Sequence, residues 1–381
     1  MKPHKATREQ LKRHNRQMLL RAIYYGLADN RAALAAETGL AKPTVSDLVA
    51  ELIEEGLLTE GGRGESTEGG GKRPTLVQFV PDSRQVIGIS METNRVFGVL
   101  CNLTGRVIAQ HYAEFERALN DEAVDLLIEV TNGLKAQVDA PLLCIGVGVT
   151  GAVESETGLV QHSASFGWEN LPLGGLLTKH FGISAYVGNN TELTAIAQFA
   201  FGTEANDDAR NLVTVRVSRS VEVGVAWDGV SYHHGSDISS LCIDAGDLQS
   251  LLGWEAVASR IAGLRPQYPA SMLQDGELSY LHVRYAAANG DALALRITDE
   301  LAEHLAQVMI WVVGLLHPNH ISLTGAIVNL GQPFLDRVVE KTQARLSPKL
   351  ARGVKFSLAY STNLSAIGAA AYAIQQELDV I

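Results

Sequence analysis

An α/β protein carrying a small helical domain at its N-terminal end is what this sequence predicts, on three observations. Charge is divided unevenly along the chain. Residues 1–46 hold nine Lys/Arg against three Asp/Glu, whereas residues 81–381 hold nineteen against thirty-two, within a formal net charge of -11. The first 56 residues repeat apolar side chains at close to 3.6-residue spacing and break at glycines, which is the pattern of short helices. Beyond Pro81, β-branched apolar runs alternate with amphipathic stretches, which is the pattern of an α/β core.

The elements follow in order. Leu11, Met18, Leu19, Ile23 and Leu27 share one face of a first helix over about 9–27. Asn30 is placed to cap a second helix over Arg31 to Thr38, with Gly39 as its stop. After a three-residue turn, Lys42 and Pro43 open a third helix. In it Val45, Leu48, Val49, Leu52 and Ile53 form the apolar face and Lys42, Thr44, Ser46 and Asp47 the polar one. Helix, tight glycine turn and helix with small polar residues at its start make a helix-turn-helix, although an ordinary helical hairpin has the same grammar. The next segment weighs against the hairpin. LLTEGG and TLVQFVP read as strands joined by RGESTEGGGKRP, a glycine-rich loop with basic residues that forms the wing of a winged helix. Double-stranded DNA is the implied partner. The candidate contacts are Arg31, Lys42, Pro43, Thr44 and Ser46 around the two helix starts, and Arg63, Lys72 and Arg73 on the wing. The winged helix is assigned to residues 1–80 and the rest of the chain, 81–381, to a second domain.

In that second domain VIGISME and RVFGVLCNLTGRVIAQHYAEF read as three strands in hairpin succession, DEAVDLLIEVTNGLKAQV as a helix, and LLCIGVGVTGAV as a buried strand. A second round follows: AYVGNN, the helix TELTAIAQFAFG, and the strand pair in NLVTVRVSRSVEVGVAWDGVSYHHG. Two similar halves suggest the duplicated fold of actin-like ATPases and sugar kinases, and the periodicity by itself supports a large α/β domain. No run approaches the roughly 18 apolar residues that span a bilayer, and MKPHKATREQLKRHNRQ lacks the apolar core of a signal peptide, so a cytoplasmic protein with no membrane partner is expected. Cys101, Cys144 and Cys242 are scattered and odd in number, which supports neither a disulfide framework nor a four-cysteine metal site; buried apolar thiols are the expectation.

The sequence resembles the ROK family, which groups bacterial sugar kinases with transcriptional repressors, and within it the repressor branch of the xylose and N-acetylglucosamine type. The resemblance rests on AKPTVSDLVAELIEEGLL, GGGKRPTLVQFVPD, GVGVTGAVESETGLVQHSASFGWENLPLGGLL, NNTELTAIAQFAFG and LLHPNHISLTGAIV, in that order across nearly the whole chain. It implies a winged helix-turn-helix followed by a two-lobed sugar-kinase-like domain. Where family kinases carry a DxGGT-like phosphate turn, this chain reads SMETN, with Ser90 at the aspartate position. The ND pair that supplies the kinase general base reads Asn189, Asn190, and an amide cannot accept the sugar hydroxyl proton. The second phosphate loop reads SerArgSer at 218–220, and the adenosine-side loop reads Thr324, Gly325, Ala326. The family's zinc loop, GEIGH followed by CxCGxxGCxE, reads SDISS and then AGDLQSLLGWEAVAS, with Ser240 at the histidine position and Glu255 retained. His233 and His234 stand without partners at ligand spacing, and a lone buried Cys242 is expected.

The resemblance therefore implies no catalytic residue, no metal and no cofactor. What it carries over is a polar effector pocket of Ser165, Gly167, Trp168, Asn189, Asn190, Arg219, Asp237 and Ser240, with Arg219 either paired to Glu222 or holding a ligand anion. The expected protein is a DNA-binding repressor that senses a sugar or sugar derivative as a homodimer or dimer of dimers. A bifunctional sugar kinase, or a regulator controlled by a protein partner, are the alternatives.

Overall fold

The computed structural model describes residues 7–63, 73–116, 118–201, 211–227, 230–231, 237–274, 278–360 and 363–380. Three helices begin the chain: α1 (Arg8–Tyr24), α2 (Arg31–Thr38) and α3 (Lys42–Glu54). Each boundary has a local cause. Thr7 and Gln10 cap α1 reciprocally, Asn30 Oδ1 accepts the amides of Ala32 and Ala33 to start α2, and Gly39 ends it at φ 68°, a conformation that a β-carbon would disfavour. The antiparallel strands β1 (Leu58–Arg63) and β2 (Thr75–Phe79) form the stem of the expected wing. Their register shifts between Gly61 and Arg63, where Gly62 takes φ 57° and makes a bulge.

Strand β3 (Gln85–Glu92) opens the first lobe, followed by β4 (Arg95–Asn102), β5 (Val107–Glu114), α4 (Asp121–Lys135) and β6 (Leu142–Val149). A small antiparallel sheet, β7 (Ala152–Glu154), β8 (Leu159–Ser163) and β9 (Trp168–Leu171), leads into α5 (Leu173–Phe181) and β10 (Ala185–Asn189). The main sheet runs β10-β6-β3-β4-β5, with β10, β6 and β3 parallel. Helix α6 (Asn190–Phe201) crosses to the second lobe, built on β11 (Asn211–Val217), β12 (Val221–Trp227) and β13 (Val230–Ser231). After the short β14 (Cys242–Ile243) and β15 (Gly246–Asp247) come α7 (Leu248–Leu252), α8 (Trp254–Leu264), α9 (Tyr280–Ala288) and α10 (Ala292–Leu316). Then follow β16 (His320–Thr324), α11 (Gln332–Gln343), α12 (Pro348–Ala351) and β17 (Lys355–Leu358), which complete a second sheet of order β13-β12-β11-β16-β17. Finally α13 (Leu364–Leu378) returns to the first lobe.

The pleat of the first sheet explains this return. Ile87, Ile89, Val96, Leu100, Ile145 and Val147 point to one face, where α4 packs with Leu127, Val130 and Leu134. On the opposite face the alternate positions of β3 and β6 are small. A side chain at Gly88 or Gly146 would overlap the carbonyl oxygens of Ala366 and Ala369 in α13, so these glycines let an alanine-lined helix lie directly on the strands. That face also carries Phe97, Val99 and Cys101, and its core is continuous with Leu19, Leu34, Val45, Leu52 and Val77 of the N-terminal helices and wing. The Tyr24 hydroxyl donates to the Leu103 carbonyl at 3.3 Å, Arg84 Nη2 to the Glu55 carbonyl at 2.7 Å, and Tyr24 packs edge-on against Phe79. The winged helix is thus docked on the first lobe. Burial pushes the Cys101 thiol up to about 12 and holds Cys144 well above its ordinary value, so both are unreactive core side chains at neutral pH. Cys242 departs from the sequence expectation: it is exposed, because it sits on the two-residue strand β14. Helix α10 buries eleven side chains of the second lobe's core, including Leu301, Leu305, Val308 and Met309.

Candidate DNA interface and effector cleft

At the N-terminal end, α3 begins without a side-chain cap at Ala41, and Lys42, Pro43 and Ser46 are exposed around its first turn while Thr44 is half-buried. First-turn amides that lack an intrahelical acceptor favour phosphate. Arg73 is exposed at the foot of β2. Lys72 lies outside the described residues, as does the side chain of Arg63. Other basic residues hold the domain together: Lys12 pairs with Glu51 and Arg16 with Glu55, which joins α1 to α3. Arg31 reaches Glu60 on the wing stem at 2.8 Å, and beside it the Val77 amide donates to the Asp29 carbonyl at 2.6 Å. This bridge holds Arg31 beside the wing stem. Arg31→Gln and Glu60→Gln are expected to weaken DNA binding by matching factors, with the double variant no worse than either alone; additive losses in a gel-shift cycle would return Arg31 to phosphate contact.

A cleft of about 580 Å³ opens between the lobes. The first lobe lines it with Glu92, Thr93 and Asn94 from the β3–β4 turn, Glu116 and Leu119 before α4, and Ala164 and Ser165 from the β8–β9 turn. The second lobe contributes Arg216, Ser218 and Arg219 from the β11–β12 hairpin. Of the residues expected here, only Ser165 and Arg219 line it. Trp168 is 3% exposed, stacked on Phe166 with its indole N–H donating to the Asn120 carbonyl at 3.0 Å, so it belongs to the core. Gly167 is exposed beside Asn120 at φ 68°. Asp237 is exposed and accepts the Ser239 amide at 2.8 Å, and Ser240 is exposed next to it.

Asn189 and Asn190 are buried where β10 passes into α6 and do not line the cleft. Asn189 Oδ1 accepts the Thr191 amide at 2.7 Å and its Nδ2 donates to the Gly151 carbonyl. Asn190 is 1% exposed; its Oδ1 accepts from Ser90 Oγ at 3.1 Å, and its Nδ2 donates to the Met91 carbonyl at 2.8 Å. The neighbouring Thr191 hydroxyl donates to Glu222 of β12, whose other oxygen accepts from Ser220 at 2.7 Å. The first turn of α6 therefore ties one lobe to the other. The pairing of Arg219 also differs from expectation. Arg219 meets Glu255 at 2.7 Å, and Glu222 instead has Arg216 at 3.7 Å, because these two are cross-strand partners in the β11–β12 register. The alternation in NLVTVRV could have flagged Arg216, a charge standing on the opposite face from Val213, Val215 and Val217.

The positions of the family's zinc loop do not suit a metal. Cys242 Sγ faces the Ser240 carbonyl, and among the described residues no group of three or more His, Cys, Asp or Glu is gathered at ligand spacing.

The sequence model of the ROK family matches residues 86–239 and 253–376. The chain belongs to the ROK family. A second model, the IclR helix-turn-helix domain, matches residues 29–62, which takes in α2, α3 and most of β1. Relatives named as repressors or transcriptional regulators resemble the chain over most of its length. A xylose repressor of Bacillus subtilis is 25% identical over 386 residues, covering 97% of each chain. A xylose repressor of Caldicellulosiruptor bescii is 26% identical with 88% of each covered. The regulator NagC of Escherichia coli is 23% identical with 83% of this chain and 82% of that one covered. Among solved structures, a ROK transcriptional regulator described as a homologue of the E. coli Mlc protein superposes with TM-score 0.84 at 21% identity, covering 97% of this chain and 96% of that one. A ROK glucokinase from Streptomyces griseus superposes with TM-score 0.66 at 16% identity and covers 76% of this chain and 99% of that one. The ROK kinase body is thus present here, preceded by a helix-turn-helix.

Proposed function

We propose that this ROK protein is a transcriptional repressor whose winged helix, residues 1–80, binds an operator while residues 81–381 sense a carbohydrate without phosphorylating it. One observation carries the second half of the reading. The two positions that resemble the carboxylate positions of family kinases hold Ser90 and Asn190, which are buried and bonded to each other, so neither position supplies a carboxylate. A dimer would set two α3 helices in successive major grooves of a pseudo-palindrome, with the wings in flanking minor grooves. An effector that favours one lobe closure would change the spacing of those helices, with a coupling on the order of 1–3 kcal/mol, or about five- to 150-fold in operator affinity. Among the described residues no helix is long and apolar enough to cross a membrane.

The test combines two assays on the full-length protein. Genomic fragments selected by the protein should shift in a gel, and a sugar should change that affinity, while ADP release with ATP and the same sugars stays at background. Sugar-dependent ADP release overturns the non-enzymatic reading in favour of a bifunctional kinase; DNA binding that no sugar alters favours control by a protein partner. Arg73→Ala should weaken binding to all sequences alike and lower the slope of log affinity against log salt by about one. An unchanged slope would remove Arg73 from the interface.

A further inference from the structure

The walls of the interlobe cleft differ in chemistry. Glu92, Asn94, Glu116 and Ser165 on the first lobe offer acceptors and small donors suited to hydroxyl groups, whereas the second lobe offers two guanidiniums and the hydroxyl of Ser218. Arg216 is held on strand β11 with its side chain largely buried, yet its Nη1 has no hydrogen-bond acceptor. Its ionic neighbour Glu222 lies at 3.7 Å, beyond hydrogen-bond range, and that carboxylate already accepts from Thr191 and Ser220. The buried Nη1 carries an unmet desolvation cost inside the lobe, while the part of the side chain that lines the cleft remains available to an anion. Arg219, three residues on, is paired with Glu255 in an exposed bridge, the kind that contributes little and exchanges readily for a better acceptor. Ser218 Oγ accepts the Ala326 amide at 3.0 Å, which leaves its own proton to donate. On the first lobe Arg95 stands 3.6 Å from Glu92 and Glu116 is exposed, so an anion is favoured only on the second-lobe side.

We propose that the effector is an anionic carbohydrate, its phosphate or carboxylate held by Arg216, Ser218 and Arg219 and its hydroxyl groups held by the first-lobe wall. This rests on the reading of the cleft as the effector site and adds the ligand's charge and its orientation across the lobes. The sugar phosphate and the sugar acid share the chemistry that the arginines recognise.

The experiment is isothermal titration of the full-length protein with three sugar skeletons, glucose, xylose and N-acetylglucosamine. Each is offered as the neutral sugar, as its terminal phosphate and as its aldonic acid, beside inorganic phosphate alone. The expected result is that for at least one skeleton the phosphate or the acid binds tenfold or more tightly than its neutral parent; whichever arm does so identifies the source of the anion. Arg219→Gln should lower that affinity by tenfold or more, and Arg216→Gln likewise. Arg337→Gln on α11, which removes an equal charge from an exposed pair with Asp299 of α10, should leave it unchanged. If Arg216→Gln unfolds the lobe, the exposed Arg219 alone decides. Neutral sugars binding as well as their anionic forms, or an anion preference that survives Arg219→Gln, overturns the proposal and leaves the effector reading standing. No binding by any member of the panel overturns both.

Discussion

A Gly146→Val chain is expected to lose its folded first lobe. Gly146 lies on β6 directly under α13, and a β-carbon there would overlap the Ala369 carbonyl oxygen. The helix cannot retreat at one point. Ala366 makes the same close approach over Gly88, and Gly368 is pressed against the Leu193 carbonyl of α6, so lifting Ala369 separates α13 from two strands and a neighbouring helix together. Overpacking with flexible side chains costs about 1–3 kcal/mol, and here the obstacle is backbone, so a loss of more than about 4 kcal/mol is expected out of the roughly 5–15 kcal/mol that domains possess. In thermal melts followed by circular dichroism, the variant should aggregate or melt at least about 10 °C below the wild type. A wild-type melting curve would mean that α13 does not lie on β6 as described.

Asn190→Asp is expected to destabilise the first lobe where it meets α6 and to create no sugar-dependent ADP release. The amide nitrogen that donates to the Met91 carbonyl at 2.8 Å would become a carboxylate oxygen facing another acceptor in a site only 1% exposed. Replacing a buried hydrogen bond with two opposed acceptors costs about 2–3 kcal/mol at neutral pH. The protonated carboxyl can still donate to Met91, so the folded state raises the pKa of the new group above its unfolded value of about 3.9. The deficit relative to wild type should therefore be smallest below that unfolded value, grow as pH rises through the raised folded value, and level off beyond it. Denaturant midpoints of both proteins from pH 4 to 8 measure the difference, and a deficit independent of pH would show that the side chain has turned out to solvent.

Local features were legible in the sequence and the cleft was not, for a physical reason. Asn30, Gly39 and Pro43 act within one turn of their own position, and the structure places α2 at Arg31–Thr38, as those residues indicate. Gly88 and Gly146 carry no such local message, since what they accommodate is a helix starting at Leu364. The cleft is assembled from turns that follow β3, β8 and β11, so no window of sequence contains it. Resemblance to family positions brought in Trp168, Asn189 and Asn190, which the fold spends on packing and on tying the lobes, and passed over Glu92, Glu116 and Arg216, which line the opening. Arg219 was found because it occupies a phosphate-loop position, while its partner Glu255 follows from how α8 begins beside the hairpin.

The docking of the winged helix on the first sheet has a consequence for how the protein comes into being. That sheet is completed on the same face by α13, which leaves the ribosome after every other described element. The helix-turn-helix is translated before the strands it leans on, and those strands keep Gly88 and Gly146 bare until α13 has been synthesised. A chain stopped before α13 would therefore carry its helix-turn-helix on an unfinished support. The support of the helix-turn-helix is in this way completed by the element furthest from it in the described sequence.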